Sequence, residues 1–294
     1  MIDRREFLAG SVAAAMTMPI TAEDVPQTRT KAIPGTDEML PIVGMGASQA
    51  FREDMDRSRD VLDMLLARGG GYVDASGDGG YTVAAIMQER NASDQLFLGT
   101  YVDVTEEQEA RGEIERNIQA QGGPLDLLHT RQVENFVQNP DWYRRWKEEG
   151  MARFVGVARH RESYYDDMLK LIEGGHIDFL QVNYSLLEPG AEERVLPAAL
   201  HHGVAVVTNR PFINGEYFGV VKGRELPEWA SEFDCESWAQ FSLKFVLSHP
   251  AVNCAITETA NPKHAVDNLG AGTGRLPDEK MREMMRAEIA SIVG

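Results

Sequence analysis

Short apolar runs alternate with amphipathic stretches along most of this chain, and the alternation sets the elements. Runs at 42–46, 71–75, 96–102, 125–131, 153–158, 178–184, 204–209 and 253–258 are almost continuously apolar. They predict strands buried on both faces, as in a parallel sheet. Between them, the stretches 53–68, 82–90, 106–121, 141–149, 162–174, 191–202, 236–248 and 262–270 carry helical spacing, with a further helix at 278–291. Val61, Leu62, Leu65 and Leu66 share a face of the first, and Phe241, Phe245, Val246 and His249 line up around the seventh. Asn139-Pro140 and Asn261-Pro262 mark two helix starts, where the missing proline N–H costs nothing. Ahead of the first long strand, residues 31–41 read as a short hairpin turning at Pro34-Gly35.

Eight strand–helix units in strict alternation predict a single α/β domain over 31–294. The expected fold is a (β/α)8 TIM barrel with an N-terminal hairpin and an extra C-terminal helix. A doubly wound open sheet is the alternative, but the chain has no G-x-G-x-x-G fingerprint. Gly44-Met45-Gly46 is a fragment of it and reads as a tight strand-to-helix turn.

The N-terminus has a different pattern. Arg4-Arg5 precedes Phe7-Leu8 and an Ala-rich, weakly apolar run to Ile20, with small residues near Ala22. Residues 1–22 are therefore expected to be a twin-arginine-type signal peptide, followed by a linker over 23–30, in a protein exported to the periplasm. No other stretch reaches the ~18 uninterrupted apolar residues of a membrane helix, so no membrane anchor is expected after cleavage. The net charge of −17 sets aside nucleic acid and anionic lipid as bulk partners. Cys235 and Cys254 fall at opposite ends of a barrel unit, too far apart to bridge, and two free thiols are expected.

Several segments together resemble the aldo/keto reductase superfamily over about 31–291. They are the hairpin with Pro41-Ile42-Val43-Gly44-Met45-Gly46, Gly71-Tyr72-Val73-Asp74, Gln181-Val182-Asn183-Tyr184-Ser185, Asn209-Arg210-Pro211-Phe212, 237–245 and 260–269. The resemblance implies a site at the carboxyl ends of the strands. There an Asp, a Tyr, a Lys and a His handle the proton while a nicotinamide supplies hydride. Carried onto this chain, the Asp is Asp74, but the Tyr position holds Gly79, the Lys position Tyr101 and the His position Arg131. Three of four positions are replaced, so the usual proton donor is lost. Tyr101, or Tyr81 brought in by the Gly-rich turn before it, would have to substitute. Asp74 needs a new partner, for which Arg131 stands across the mouth. His129 is read as a hydrogen-bonded histidine of the barrel interior.

For a cofactor, NAD or NADP, the resemblance implies contacts from Gln181, Asn209, Arg210, Thr259, Asn261, His264, Asp267 and Asn268. Ala158-Arg159 replaces a Ser-Asn pair that would hold the nicotinamide amide, and Glu258 would repel a 2′-phosphate. No metal is expected. Arg131 and Arg159, with Arg210, either bind an anion or pair with acidic residues of the same mouth. Two functions follow, both with a small molecule at the barrel mouth. One is a divergent nicotinamide-dependent oxidoreductase. The other is a non-catalytic barrel that binds an anionic ligand or a protein partner.

Overall fold

Each predicted strand forms within one residue of its expected bounds. In the computed structural model, residues 26–47, 54–75, 78–259 and 261–294 are described, and the expected signal segment 1–22 lies outside them. A hairpin of β1 (Thr30–Ala32) and β2 (Met39–Pro41) precedes β3 (Val43–Ala47), β4 (Gly71–Ala75), β5 (Leu96–Tyr101) and β6 (Leu125–Thr130). Then come β7 (Ala152–Arg159), β8 (Phe179–Asn183), β9 (Ala205–Asn209) and β10 (Val252–Thr257). Strands β3 to β10 form a closed parallel barrel, sealed where Ile256 of β10 meets Gly44 of β3. This is the (β/α)8 fold.

The helices outside are α1 (Met55–Leu66), α2 (Asp78–Arg90), α3 (Glu107–Gln121), α4 (Val133–Gln138), α5 (Pro140–Glu148) and α6 (Tyr165–Glu173). They continue with α7 (Val195–His202), α8 (Glu216–Val220), α9 (Trp238–Leu247), α10 (Pro262–Gly270) and α11 (Glu279–Val293). Caps fix several starts. Asp54, Ser237, Asn261 and Asp278 each accept a backbone N–H from the first turn. The short helices α4 and α8 were not expected. At six and five residues they carry too little periodicity to stand out from a loop.

Period-two alternation divides each strand between two cores. Outward residues such as Val73, Leu128 and Val206 pack under the helices. Inward residues fill the barrel: Ile33 and Leu40 of the hairpin close the bottom beneath Tyr72, Leu127, Phe154, Phe179, Val207 and Cys254. Small inward residues make room for large ones. A Cβ on Gly99 would lie 2.4 Å from the Tyr72 hydroxyl, and one on Gly156 would lie 2.9 Å from the His129 ring. Cys235 and Cys254 are both buried and unbridged.

One layer toward the carboxyl ends, the inward face turns polar. Tyr72 is followed by Asp74, Gly99 by Tyr101, Leu127 by His129, Phe179 by Gln181 and Val207 by Asn209. That step from an apolar floor to a polar layer positions the site.

Candidate active site at the barrel mouth

A cavity of about 680 Å³ opens at the carboxyl ends of the strands. Asp74, Tyr101, Gln181 and Asn209 line it, and they are joined by hydrogen bonds. The Tyr101 hydroxyl stands 3.0 and 3.2 Å from Asp74 Oδ1 and Oδ2, and 3.0 Å from Gln181 Oε1. The Tyr72 hydroxyl donates to Asp74 Oδ1 from below at 3.0 Å, and Gln181 Nε2 donates to the same oxygen at 2.8 Å. Asn209 Nδ2 donates to Gln181 Oε1 at 3.1 Å. These contacts join β4, β5 and β8 at one carboxyl group and bring in β9 through Gln181.

Burial pushes the Asp74 carboxyl up to about 6, although hydrogen bonds from Gln181, Tyr101 and Tyr72 and the charge of Arg131 oppose the shift. Burial and the Asp74 charge push the Tyr101 phenol well above its ordinary value. Tyr101 is therefore a neutral phenol at physiological pH, and Asp74 is the group that changes charge near neutrality.

Arg131 does not pair with Asp74 as expected. Asp103, just beyond β5, takes it: Oδ1 accepts the Arg131 backbone N–H at 2.7 Å and Oδ2 accepts Nε at 2.7 Å. So held, the guanidinium stacks over the Tyr101 ring, 4.7 Å from its centroid. Its charge is largely spent on Asp103.

Tyr81 is also placed differently from its expected role. The Gly-rich turn thought able to swing it inward is the first turn of α2, which begins at Asp78. Tyr81 is 37% exposed and does not line the cavity. Gly79 lies in the same turn, so α2 supplies no phenol at the position the resemblance implies.

His129 is fully buried, as expected of an interior residue, but it is not hydrogen-bonded. Neither ring nitrogen has a partner among the described residues, and Nδ1 stays 3.9 Å from Asp74 Oδ1. Burial pushes its pKa down to about 3, so it is neutral. It packs against Tyr101, ring centroids 5.4 Å apart.

On the other side of the cavity stand Arg159, His160 and Arg210, with Phe212 and Phe218 beside them. Neither Arg159 nor Arg210 has a carboxylate within salt-bridge distance among the described residues, and the Nε of each is buried without a partner. Glu258 also lines the cavity, and partial burial raises its carboxyl pKa.

The positions expected to hold the adenosine end of a cofactor separate into two groups. Thr259 and Asn261 line a second hollow of about 460 Å³ with Arg57 and Pro262, and His264 lies 3.4 Å from Asn261. By contrast, Asp267 accepts hydrogen bonds from Ser237 at 2.8 Å and Gln240 at 2.9 Å, tying α10 to α9. Asn268 is buried and lines neither hollow. Among the described residues, no group of three His, Cys, Asp or Glu stands together to hold a metal, and no helix is long and apolar enough to cross a membrane.

Sequence reasoning missed Tyr72, Asp103, His160 and Phe218. Only Tyr72 carried a signal: it lies two residues before Asp74 and so shares its strand face.

Known proteins give the same outline. The chain is similar in fold to the aldo-keto reductase AKR11C1 from Bacillus halodurans in its holo form, with a TM-score of 0.72 at 16% identity over 90% of this chain and 96% of that one. It is also similar to an aldo/keto reductase from Klebsiella pneumoniae in complex with NADP and acetate, with a TM-score of 0.68 at 20% identity over 91% and 95% of the two chains. No curated protein matches the chain in sequence. The sequence model of the aldo/keto reductase family matches residues 142–289, half of the chain, and the chain belongs to that family.

Proposed function

We propose that this protein is an oxidoreductase that binds a nicotinamide dinucleotide, NAD or NADP, across the barrel mouth, with Asp74 and Tyr101 acting together in place of the family's usual proton donor. The observation that carries this reading is the Tyr101 hydroxyl held between Asp74 and Gln181 on the floor of the cavity.

The walls suit such a cofactor. Buried atoms Asn209 Oδ1, Arg210 Nε and Thr257 Oγ1 lack partners among the described residues, and all three residues line the cavity. The second hollow begins one residue beyond Glu258, at Thr259, so the backbone runs directly from one hollow to the other. Asn209 and Arg210 would hold the cofactor at the mouth, and Thr259, Asn261 and Arg57 would hold its far end. When bound, the nicotinamide supplies or accepts hydride.

The protein's own residues handle the proton. With Asp74 ionised, the Tyr101 hydrogen is drawn to the carboxylate. With Asp74 protonated, the carboxylic acid donates to Tyr101 Oη, and the phenol hydrogen is free to turn into the cavity. Tyr101 then gives its proton to the oxygen of a carbonyl being reduced, and Asp74 refills it. Oxidation of an alcohol runs the same transfer backward and needs Asp74 ionised. Reduction is therefore favoured below about pH 6 and oxidation above it.

A second reading, a non-catalytic barrel binding an anion or a protein partner, is favoured by the unpaired Arg159 and Arg210. Calorimetric titration with NADH and NADPH separates the two. Micromolar binding of either supports the oxidoreductase, and absence of binding at millimolar concentrations would remove it.

Export through the twin-arginine route, with a site that functions in the periplasm, completes the proposal. It is supported by Arg4-Arg5 and the Ala-rich run that follows.

A further inference from the structure

Three guanidinium groups line the cavity, and they differ in what they face. Arg131 is paired with Asp103. Arg159, at the end of β7, stacks over the Tyr164 ring at 4.7 Å and has no carboxylate within salt-bridge distance among the described residues. Arg210 sits on the same side of the cavity at φ +54°, a left-handed conformation that a non-glycine residue adopts at some cost, and it too lacks a carboxylate. His160 stands close to both. Burial, then Arg210, Arg161 and Arg159, hold it toward the neutral form.

In a chain of net charge −17, two guanidinium groups at a cavity wall with no carboxylate in salt-bridge distance among the described residues are an unmet demand for an anion. The Nε–H of each is buried without an acceptor among the described residues, an unfavourable state for a charged donor. A carboxylate meets the planar fork of an arginine with two parallel hydrogen bonds. Beside the arginines, Phe212 and Phe218 lie 4.9 Å apart, and Phe218 is 42% exposed on the cavity wall. That surface suits a flat apolar body.

We propose that the substrate is an oxo acid, a carbonyl compound that carries a carboxylate, and that Arg159 holds the carboxylate, with Arg210 left to the cofactor, while Phe212 and Phe218 cover the rest. This rests on the oxidoreductase reading above. Reduction forms one C–H bond with hydride from the bound cofactor, which is left oxidised, and one O–H bond with the proton from Tyr101. The carboxylate is unchanged and serves only to hold and orient.

The test compares phenylglyoxylate with acetophenone, which has the same ring and carbonyl but no carboxylate, by calorimetry on the full chain. The native protein binds phenylglyoxylate at least about ten-fold more tightly. Arg159→Gln loses that preference while its affinity for NADPH stays within about two-fold of the native value. Arg159→Lys, which keeps the charge and loses the fork, falls between them, and thermal melts confirm that both variants fold. Equal affinity for the two compounds overturns the proposal. So does loss of NADPH affinity with phenylglyoxylate binding intact, which would assign Arg159 to the cofactor's phosphates. Phenylglyoxylate that binds through Arg159 but is reduced with neither NADH nor NADPH removes the oxidoreductase reading instead. Reduction of both compounds at equal efficiency removes the oxo acid alone.

Discussion

The hydroxyl of Tyr101 reaches both carboxylate oxygens of Asp74, at 3.0 and 3.2 Å. The two residues stand on neighbouring strands, β4 and β5, paired so that Asp74 lies opposite Gly99, two residues before Tyr101. On the proposed reading, a phenol stands beside this carboxylate where the resemblance implies an ammonium. An ammonium would hold the carboxylate ionised, whereas a neutral phenol in a buried setting lets it take up a proton near pH 6.

Tyr101→Phe removes the one hydroxyl shared by Asp74, Gln181 and the cavity. Carbonyl reduction is expected to fall by about 10²–10⁴-fold, the usual worth of a positioned acid. Stability should change by only about 1 kcal/mol, the net value of a hydrogen bond. Steady-state kinetics beside a thermal melt checks both, and unchanged turnover would falsify the assignment.

Asp74 should leave a signature in stability against pH. Its folded pKa, about 6, lies above the ordinary value of 3.8, so the folded protein holds this proton more tightly than the unfolded chain does. Its contribution is fully present below pH 4 and is lost as pH rises through 6. The loss is at most about 3 kcal/mol. Compared with Asp74→Asn, the native protein should therefore lose relative stability between pH 4 and 7 in denaturant titrations. A constant difference across that range would refute the raised pKa.

Asp103 acts on the site through Arg131. Asp103→Ala releases a guanidinium whose charge already lowers the Asp74 pKa. The alkaline limb of carbonyl reduction, where Asp74 loses its proton, should move to lower pH, while stability falls by only about 1 kcal/mol because the pair is partly exposed. A limb that stays in place means Arg131 remains screened.

Gly99→Ala tests the layer beneath. Its new methyl would lie 2.4 Å from the Tyr72 hydroxyl and force that ring to shift. A cost of about 1–3 kcal/mol is expected from overpacking. Loss of the Tyr72 hydrogen bond should also raise the Asp74 pKa further, seen as an alkaline shift of the same limb.

Export is tested at the other end of the chain. Replacing Arg4 and Arg5 together by Lys should leave the protein in the cytoplasmic fraction, whereas the native chain should appear, shortened, in the periplasmic one. Equal distribution of the two would exclude the twin-arginine route.

The barrel was legible in the sequence because strands buried on both faces must be apolar throughout, and such runs are easily counted. Helices α4 and α8 were not, being too short to show a period. Asp74, Tyr101, Gln181, Arg131 and Arg159 could be placed at the mouth from their positions at strand ends. Their partners could not be. Asp103 and Arg131 are 28 residues apart and meet only because β5 and β6 end side by side. Tyr81 was misplaced because Gly79 and Gly80 suggested a flexible turn, whereas the packing of Val83, Ile86 and Met87 extends α2 back over them.

Period-two alternation and strand ends are local properties of the chain, and they suffice to bring Asp74, Tyr101, Gln181, Arg131 and Arg159 to the barrel mouth. How these side chains share charge and protons depends on contacts that form only in the folded barrel. Arg131 is paired with Asp103, Asp74 is left among phenols and an amide, and Arg159 and Arg210 have no carboxylate partner among the described residues. The reason is physical. Burial and pairing act over a few ångströms in space, and the residues they connect lie up to 107 positions apart in the chain.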